Sequence, residues 1–213
     1  MADLKLPERS PDGTLELVTT YLEMRQPPRH PGVSITGRTV ALVHAERPPV
    51  HFYRYLYETV GSPYLWWERR ELVDDALAAI IHDERVELQV LQVDGVPAGF
   101  AELDRRHSGD LRLAYFGLIP DFIGQGLGLP FLGRVMELAW KDDEVERVTV
   151  HACSTDHPRA LLVYQRVGFT VYDEVREVIE DPRARGLFPE HVEPSANVEP
   201  PSPTEDDDIP NPS

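Results

Sequence analysis

Apolar and polar residues alternate over residues 85–93 and again over 96–104, with only Asp94-Gly95 between the two runs. Alternation with a period of two reads as half-buried strand, and an Asp-Gly pair between two strands reads as a two-residue hairpin turn. Residues 106–110 turn again into a third run over 111–119. The pattern predicts an antiparallel meander of three strands.

Both sides of this meander carry further elements. Residues 14–24 and 38–46 read as strands, separated by a proline-rich break over 26–32. Pro48 and Pro49 suit the start of a helix over 50–60. Leu72, Leu77, Ile80 and Ile81 fall near one face of a helix over 67–83. After the meander, a helix over 126–140 presents Leu127, Phe131, Leu132, Val135, Met136 and Ala139 on one face. A strand over 145–153 follows. A short helix over 157–168 stops at Gly168, a natural helix end, and a last strand covers 169–179. This is one mixed α/β (α+β) domain over residues 14–181. Residues 1–13 read as a flexible N-terminus. Residues 182–213 are proline-rich and acidic with few large apolar side chains, so they read as a disordered tail.

Charge narrows the function classes. The chain of 213 residues has 21 basic and 37 acidic residues, a net charge of −16. Seven of those excess negative charges lie after Arg185, and the rest belong to the body. An acidic body argues against nucleic acid or an anionic membrane as partner. Cys153 is the only cysteine, which excludes an internal disulfide and fits a reducing compartment. With no signal-like N-terminus and no long apolar run, the expected location is cytoplasmic.

The most informative stretch is Gly124-Gln125-Gly126-Leu127-Gly128, between a strand and a helix. Such a loop lets a ligand approach the backbone, and the helix start behind it offers free N–H groups to a phosphate. A nucleotide P-loop requires Lys and Ser or Thr after the last glycine, where Leu129 and Pro130 stand here, so that reading fails. A dinucleotide fingerprint requires a different glycine spacing between parallel strands. A purely structural turn stays open on this string alone.

A second motif lies one helix and one strand downstream. It comprises His157, Ala160, Val163, Tyr164, Arg166, Gly168 and Phe169. Together with Leu118 to Gly128, in this order and spacing, it resembles the GNAT (GCN5-related N-acetyltransferase) superfamily. The resemblance is good over about residues 86–172. It implies a central, mixed, mostly antiparallel twisted sheet with a V-shaped splay between its two central strands and helices on both faces. It also implies acetyl-CoA as acyl donor, no metal, and transfer to the primary amine of a small molecule or peptide in a ternary complex. A homodimer is compatible with it.

Carried over residue by residue, the resemblance sets the backbone of Phe116, Gly117 and Leu118 along the pantetheine arm. The Leu118 N–H faces the thioester oxygen. Ile123, Gly124, Gln125, Gly126, Leu127 and Gly128 surround the pyrophosphate, and His157 and Arg159 complete the cofactor contacts. Tyr164 sits near the sulfur as the acid. Ile123 stands where Arg or Gln is usual, His157 where Asn is usual, and Arg112 near the place of a common glutamate base. A guanidinium is no general base.

An alkylamine must lose a proton before it attacks, so a carboxylate or histidine is required near it. Glu102, mid-strand, is the first candidate and His151 the second. Glu58, Glu68 and Glu71 read mainly as solvated helix charges, and Cys153 as a small strand residue. Seven of the 18 aromatic residues crowd into positions 52–67. Most read as packing, with Tyr64 and Trp66 as the substrate contacts. The alternatives are a non-catalytic CoA-binding module and the same fold with another acyl donor or acceptor.

Overall fold

The computed structural model describes residues 10–28, 37–107 and 110–188. Strands β1 (Thr14–Met24), β2 (Val40–His44), β3 (Val86–Val93), β4 (Val96–His107), β5 (Asp110–Leu118), β6 (Arg147–Cys153) and β7 (Thr170–Glu180) form one sheet. Its order is β2-β3-β4-β5-β6-β1-β7. All neighbours are antiparallel except β5 and β6. The expected hairpin closes at Asp94 and Gly95, with φ of 51° and 86°, the left-handed pair a tight hairpin requires.

Helices α1 (Val50–Gly61) and α2 (Asp74–Ile81) cover one face, and α3 (Gly128–Ala139) and α4 (Ala160–Val167) the other. Two cores result. Tyr53, Leu56, Tyr57 and Val60 of α1 pack on Leu88, Val90 and Phe100. Phe131, Leu132, Val135, Met136 and Ala139 of α3 pack on Leu103, Leu111, Leu113 and Val150. These α3 residues are the face marked by helical periodicity. No helix among the described residues is long and apolar enough to cross a membrane.

Two features of the sheet set up the site. Glu102 pairs with Tyr115 and Leu103 with Leu113, so Ala114 is an extra residue in β5. An extra residue bends its strand and reverses the alternation. Leu111 and Leu113 therefore enter the α3 core, and beyond the bulge Phe116 and Leu118 do so too. Tyr115 faces α1. The parallel pairing of β5 with β6 stops just before this bend, at Arg112–Thr149. β5 continues to Leu118 and β6 to Cys153 unpaired with each other, which is the expected V-shaped splay.

The structure departs from the sequence reading at two places. The helix expected over 67–83 begins only at Asp74. Leu65 has φ of 58°, and the stretch behind it is held as a loop by three arginines. Arg54 donates to the Leu72 carbonyl at 2.7 Å, Arg69 to Glu102 at 2.7 Å, and Arg70 to Ser62 Oγ at 2.6 Å. Residues 182–188, expected to open the disordered tail, instead turn back against the domain. Pro182 is buried, Leu187 O accepts from Arg70 at 3.2 Å, and the Phe188 ring lies 4.6 Å under the Arg70 guanidinium. Residues 1–9 and 189–213, the remainder of the two terminal expectations, lie outside the described residues.

Candidate active site

The splay leaves one edge of β5 open. Ile119 N–H donates to Ala98 O at 2.9 Å, toward β4. Amides alternate along a strand, so the N–H groups of Leu118 and Phe116 point the other way, into the gap toward β6. Gly117 sits between them against α1; a Cβ there would collide with Val60 Cγ1.

Beyond Leu118 the chain makes a short 3-10 turn (Pro120–Phe122) and enters the glycine loop. Gly124 and Gly126 have φ of 83° and 76°, and a Cβ at either would meet open space. Left-handed backbone facing a void, followed directly by the N-terminus of α3, is a cradle of unpaired N–H groups. Leu127 anchors the loop in the core. Gln125 Nε2 donates to Asp121 O at 2.6 Å, and its Oε1 accepts from Arg38, which also pairs with Asp94 at 2.8 Å. Ile123 has extended backbone (φ −70°) and contributes no polar side chain. The loop thus fits a diphosphate through its backbone, with Arg38 as the nearby cation.

Tyr164 faces the gap from α4. Its ring is buried between Phe116 and Phe169, with centroids 6.2 and 5.9 Å away. Burial, followed by the nearby Asp156 and Cys153, pushes its phenol far above the usual range, so it stays protonated. No described residue hydrogen-bonds its hydroxyl. His157 Nδ1 accepts the Arg159 N–H at 3.1 Å, closing the turn into α4. Asp156 links the two sides of the gap. It accepts from Cys153 N at 2.8 Å and from Trp66 Nε1 at 3.2 Å.

On the sheet face opposite α3 and α4, a cleft of about 400 Å³ lies over β1, β5, β6 and β7. Alternation sends Val148, Val150 and Ala152 into the core and Thr149, His151 and Cys153 into this cleft. Trp67 and Glu68 overhang it from the loop between α1 and α2. Glu68 is exposed and accepts from the hydroxyls of Tyr57 at 3.3 Å and Tyr115 at 3.4 Å. Arg112 donates to His151 Nδ1 at 3.2 Å. Arginine can only donate, so the His151 ring hydrogen is on Nε2. Burial and then Arg112 hold His151 below the ordinary histidine range. Burial, then Asp156, pushes the Cys153 thiol up to about 12.

Placed on this frame, the expected residues separate into groups. Phe116 is in ring contact with Tyr164, Gly117 and Leu118 continue the same strand, Gly124 to Gly128 follow at the entry to α3, and His157 stands just before α4. Arg159 is exposed beside that turn and has no ion-pair partner among the described residues. Glu102 is elsewhere. It is wholly buried, accepts from Tyr53 OH, and is ion-paired with Arg69 at 2.7 Å, so its oxygens are engaged away from the cleft. His151 is in the cleft, but its accepting nitrogen is taken by Arg112 and its other nitrogen donates. Trp66 is packed among Tyr57, Phe100 and Tyr115, and Tyr64 is buried. The tryptophan lining the cleft is its neighbour, Trp67. Glu68 was one of three helix charges with nothing local to distinguish it, because the helix expected there is a loop. Among the described residues, no cluster of His, Cys, Asp and Glu is placed to hold a metal ion.

Comparison with known proteins agrees with this architecture. A family model described as an acetyltransferase (GNAT) domain matches residues 66–179, more than half of the chain. Among solved structures, a GCN5-related N-acetyltransferase from Sphaerobacter thermophilus is similar with a TM-score of 0.57 at 18% identity. That similarity covers 78% of this chain and 52% of the other. A conserved protein of unknown function from Staphylococcus epidermidis is similar with a TM-score of 0.51 at 16% identity, covering 79% of this chain and 64% of that one. At such identities the likeness is one of fold, and the chain spans between about half and two-thirds of those structures. With the mixed sheet, the splay and the glycine loop in the same order along the chain, the protein belongs to the GNAT acetyltransferase domain family.

Proposed function

We propose that this protein transfers an acetyl group from acetyl-CoA to a primary amine by direct attack in a ternary complex. The observation that carries the reading is the splay itself. It joins a backbone cradle on the α3 side to a polar cleft on the other face, with unpaired strand amides between them. Acetyl-CoA, when bound, supplies an activated acyl carbon. The Gly124–Gly128 amides suit its diphosphate, and the open Phe116 and Leu118 edge suits its amide-bearing arm.

The residues then divide the chemistry. Leu118 N–H donates to the carbonyl oxygen as negative charge develops there, and such a donor is worth about 3 kcal/mol of barrier. Glu68 takes the proton of the attacking amine, directly or through water. It is the exposed carboxylate that overhangs the cleft from the loop between α1 and α2, and the Tyr57 and Tyr115 hydroxyls hold it in place. As the N–C bond forms and the C–S bond breaks, Tyr164 gives its hydroxyl proton to the departing sulfur. Burial keeps the phenol protonated at neutral pH, so its hydroxyl is available as a donor to that sulfur. The Cys153 thiol, protonated at neutral pH, supports a single displacement without an acyl-cysteine.

The test is CoA release from acetyl-CoA over a panel of amines, with CoA binding measured in parallel. Turnover that falls by two or more orders of magnitude in Glu68→Gln and Tyr164→Phe, with CoA binding retained, is the expected result. Saturable CoA binding without turnover on any amine, and no effect of Tyr164→Phe, overturns the reading.

A further inference from the structure

Strands β5 and β6 are paired only as far as Arg112–Thr149, so no ladder bond fixes their spacing beyond that point. The two arms of the V carry groups that must act together. Leu118 stands on the β5 arm, and Tyr164 follows the β6 arm through the turn at 154–159 into α4. A displacement of about 1 Å between such groups can cost about 100-fold in rate.

A crossbar of side chains spans the mouth of the V on the α1 face. Trp66 is seated against α1, where a Cβ at Gly61 would collide with its Cδ2 and Cε3. Its ring reaches β5, since a Cβ on Gly117 would touch Trp66 Cη2 at 3.7 Å. From the five-membered ring, Nε1 donates to Asp156 Oδ1 at 3.2 Å. Asp156 Oδ2 accepts at 2.8 Å from the N–H of Cys153, the last residue of β6. Gly117 and Cys153 stand at the same height on the two arms once the extra residue Ala114 is discounted. Tyr64 adds a second contact beside the first. Its buried ring lies 6.3 Å from that of His157, edge to face, and 6.5 Å from that of Trp66. Tyr64 and Trp66, expected as substrate contacts, thus meet His157 and Asp156 across the gap.

We propose that Trp66 and Asp156 are positioning residues: their hydrogen bond sets the width of the splay, and with it the distance from the Leu118 amide to the Tyr164 hydroxyl. This rests on the acetyl-transfer reading. The link has a defined geometry, because the indole has one donor and the carboxylate meets it with one oxygen while the strand end holds the other. The Trp66 end is braced as well. Its N–H donates to Gly61 O at 3.1 Å, and its carbonyl accepts from Arg70 at 3.2 Å.

Two variants test the bar. Trp66→Phe keeps an aromatic ring over Gly61 and removes the N–H. Asp156→Asn leaves one accepting oxygen where two donors converge. Each is compared with the parent by kcat and KM for acetyl-CoA with the best amine of the panel, by urea unfolding, and by hydrogen–deuterium exchange. The expected result is kcat lower by about 10- to 100-fold in each, with KM for acetyl-CoA within about threefold and the urea midpoint little changed. The double variant falls no further than the worse single one, because both remove the same bond. Amides in residues 115–118 and 151–154 exchange at least about 10-fold faster in each variant, while those of residues 131–139 in α3 do not change. A Trp66→Phe protein with the parent's kcat overturns the proposal, as do losses that multiply in the double variant. A lower urea midpoint with kcat unchanged, the mark of a purely structural contact, overturns it too. If the parent turns over no amine, exchange still decides. Faster exchange at both strand ends upholds the crossbar and overturns the acetyl-transfer reading instead, and exchange at the parent's rate overturns the crossbar.

Discussion

Arg69 reaches from the loop between α1 and α2 to ion-pair with Glu102, 33 positions away in the middle of β4, at 2.7 Å. Glu102 is 0% exposed and the Arg69 side chain 13%. The pair also gathers Tyr53, whose hydroxyl donates to Glu102, and Tyr115, whose ring lies 5.2 Å under the guanidinium. It fixes the loop that carries Trp67 and Glu68 over the cleft.

Removing one member of such a pair leaves the other buried and uncompensated. Glu102→Ala should therefore cost about 3–5 kcal/mol of folding free energy, read as a lower denaturant midpoint. A general base would behave differently, losing rate with little change in stability. Glu68→Gln should show that second pattern: unfolding within about 1 kcal/mol of the parent, with kcat down by about 10²–10⁴.

His151 links pH to stability. Its folded pKa lies below the ordinary value, so the unfolded chain binds the proton first as pH falls. Its contribution is fully present above the unfolded pKa of about 6.5 and is lost as pH falls through the lower folded value. Protonated Nδ1 would also face the Arg112 guanidinium with no lone pair to offer. Urea unfolding between pH 5 and 7.5 should show stability dropping on acidification. The slope should be shallower in His151→Gln, with His157, shifted the same way, supplying part of the remainder.

Cys153 separates single from double displacement. With its thiol pushed up to about 12, the thiolate is a trace species at neutral pH. Alkylation by iodoacetamide should be at least 100-fold slower than for a free cysteine of pKa about 8.5. Cys153→Ala should keep turnover within about threefold. An acetylated Cys153 detected by mass spectrometry under single-turnover conditions would contradict direct attack.

The glycine loop can be tested without disturbing the fold. Gly126 has φ of 76° with open space where a Cβ would sit. Gly126→Ala should cost only about 1–2 kcal/mol of backbone strain. The added methyl would stand in the diphosphate cradle, so CoA affinity should fall by about 10-fold or more in a direct binding measurement. If affinity is unchanged, the loop is only a turn.

Much of this molecule was legible in local chemistry. The Asp94-Gly95 hairpin, the α3 face and the Gly168 helix end each depend on neighbours in the chain, so periodicity and turn residues reveal them. The glycine loop and the Tyr164 motif were legible for the same reason, with the loop backbone conformations following from the residue type. What failed was the helix expected over 67–83. Its apolar spacing is helical, but Arg54, Arg69 and Arg70 find partners outside the segment and hold residues 65–73 open.

The sequence by itself determined the element order, the family and the glycine loop with the Tyr164 motif behind it, because those rest on contiguous residues. Tertiary structure alone decided which side chains line the cleft. Glu102 was withdrawn into a buried pair, Glu68 was brought over the cleft, and Trp67 lines the cleft while Trp66 packs beneath it. Arg112 met His151 from 39 positions away across the splayed strands. Those roles depend on which distant side chains converge and which partners occupy them, and pairing across a sheet leaves no periodic trace along the chain.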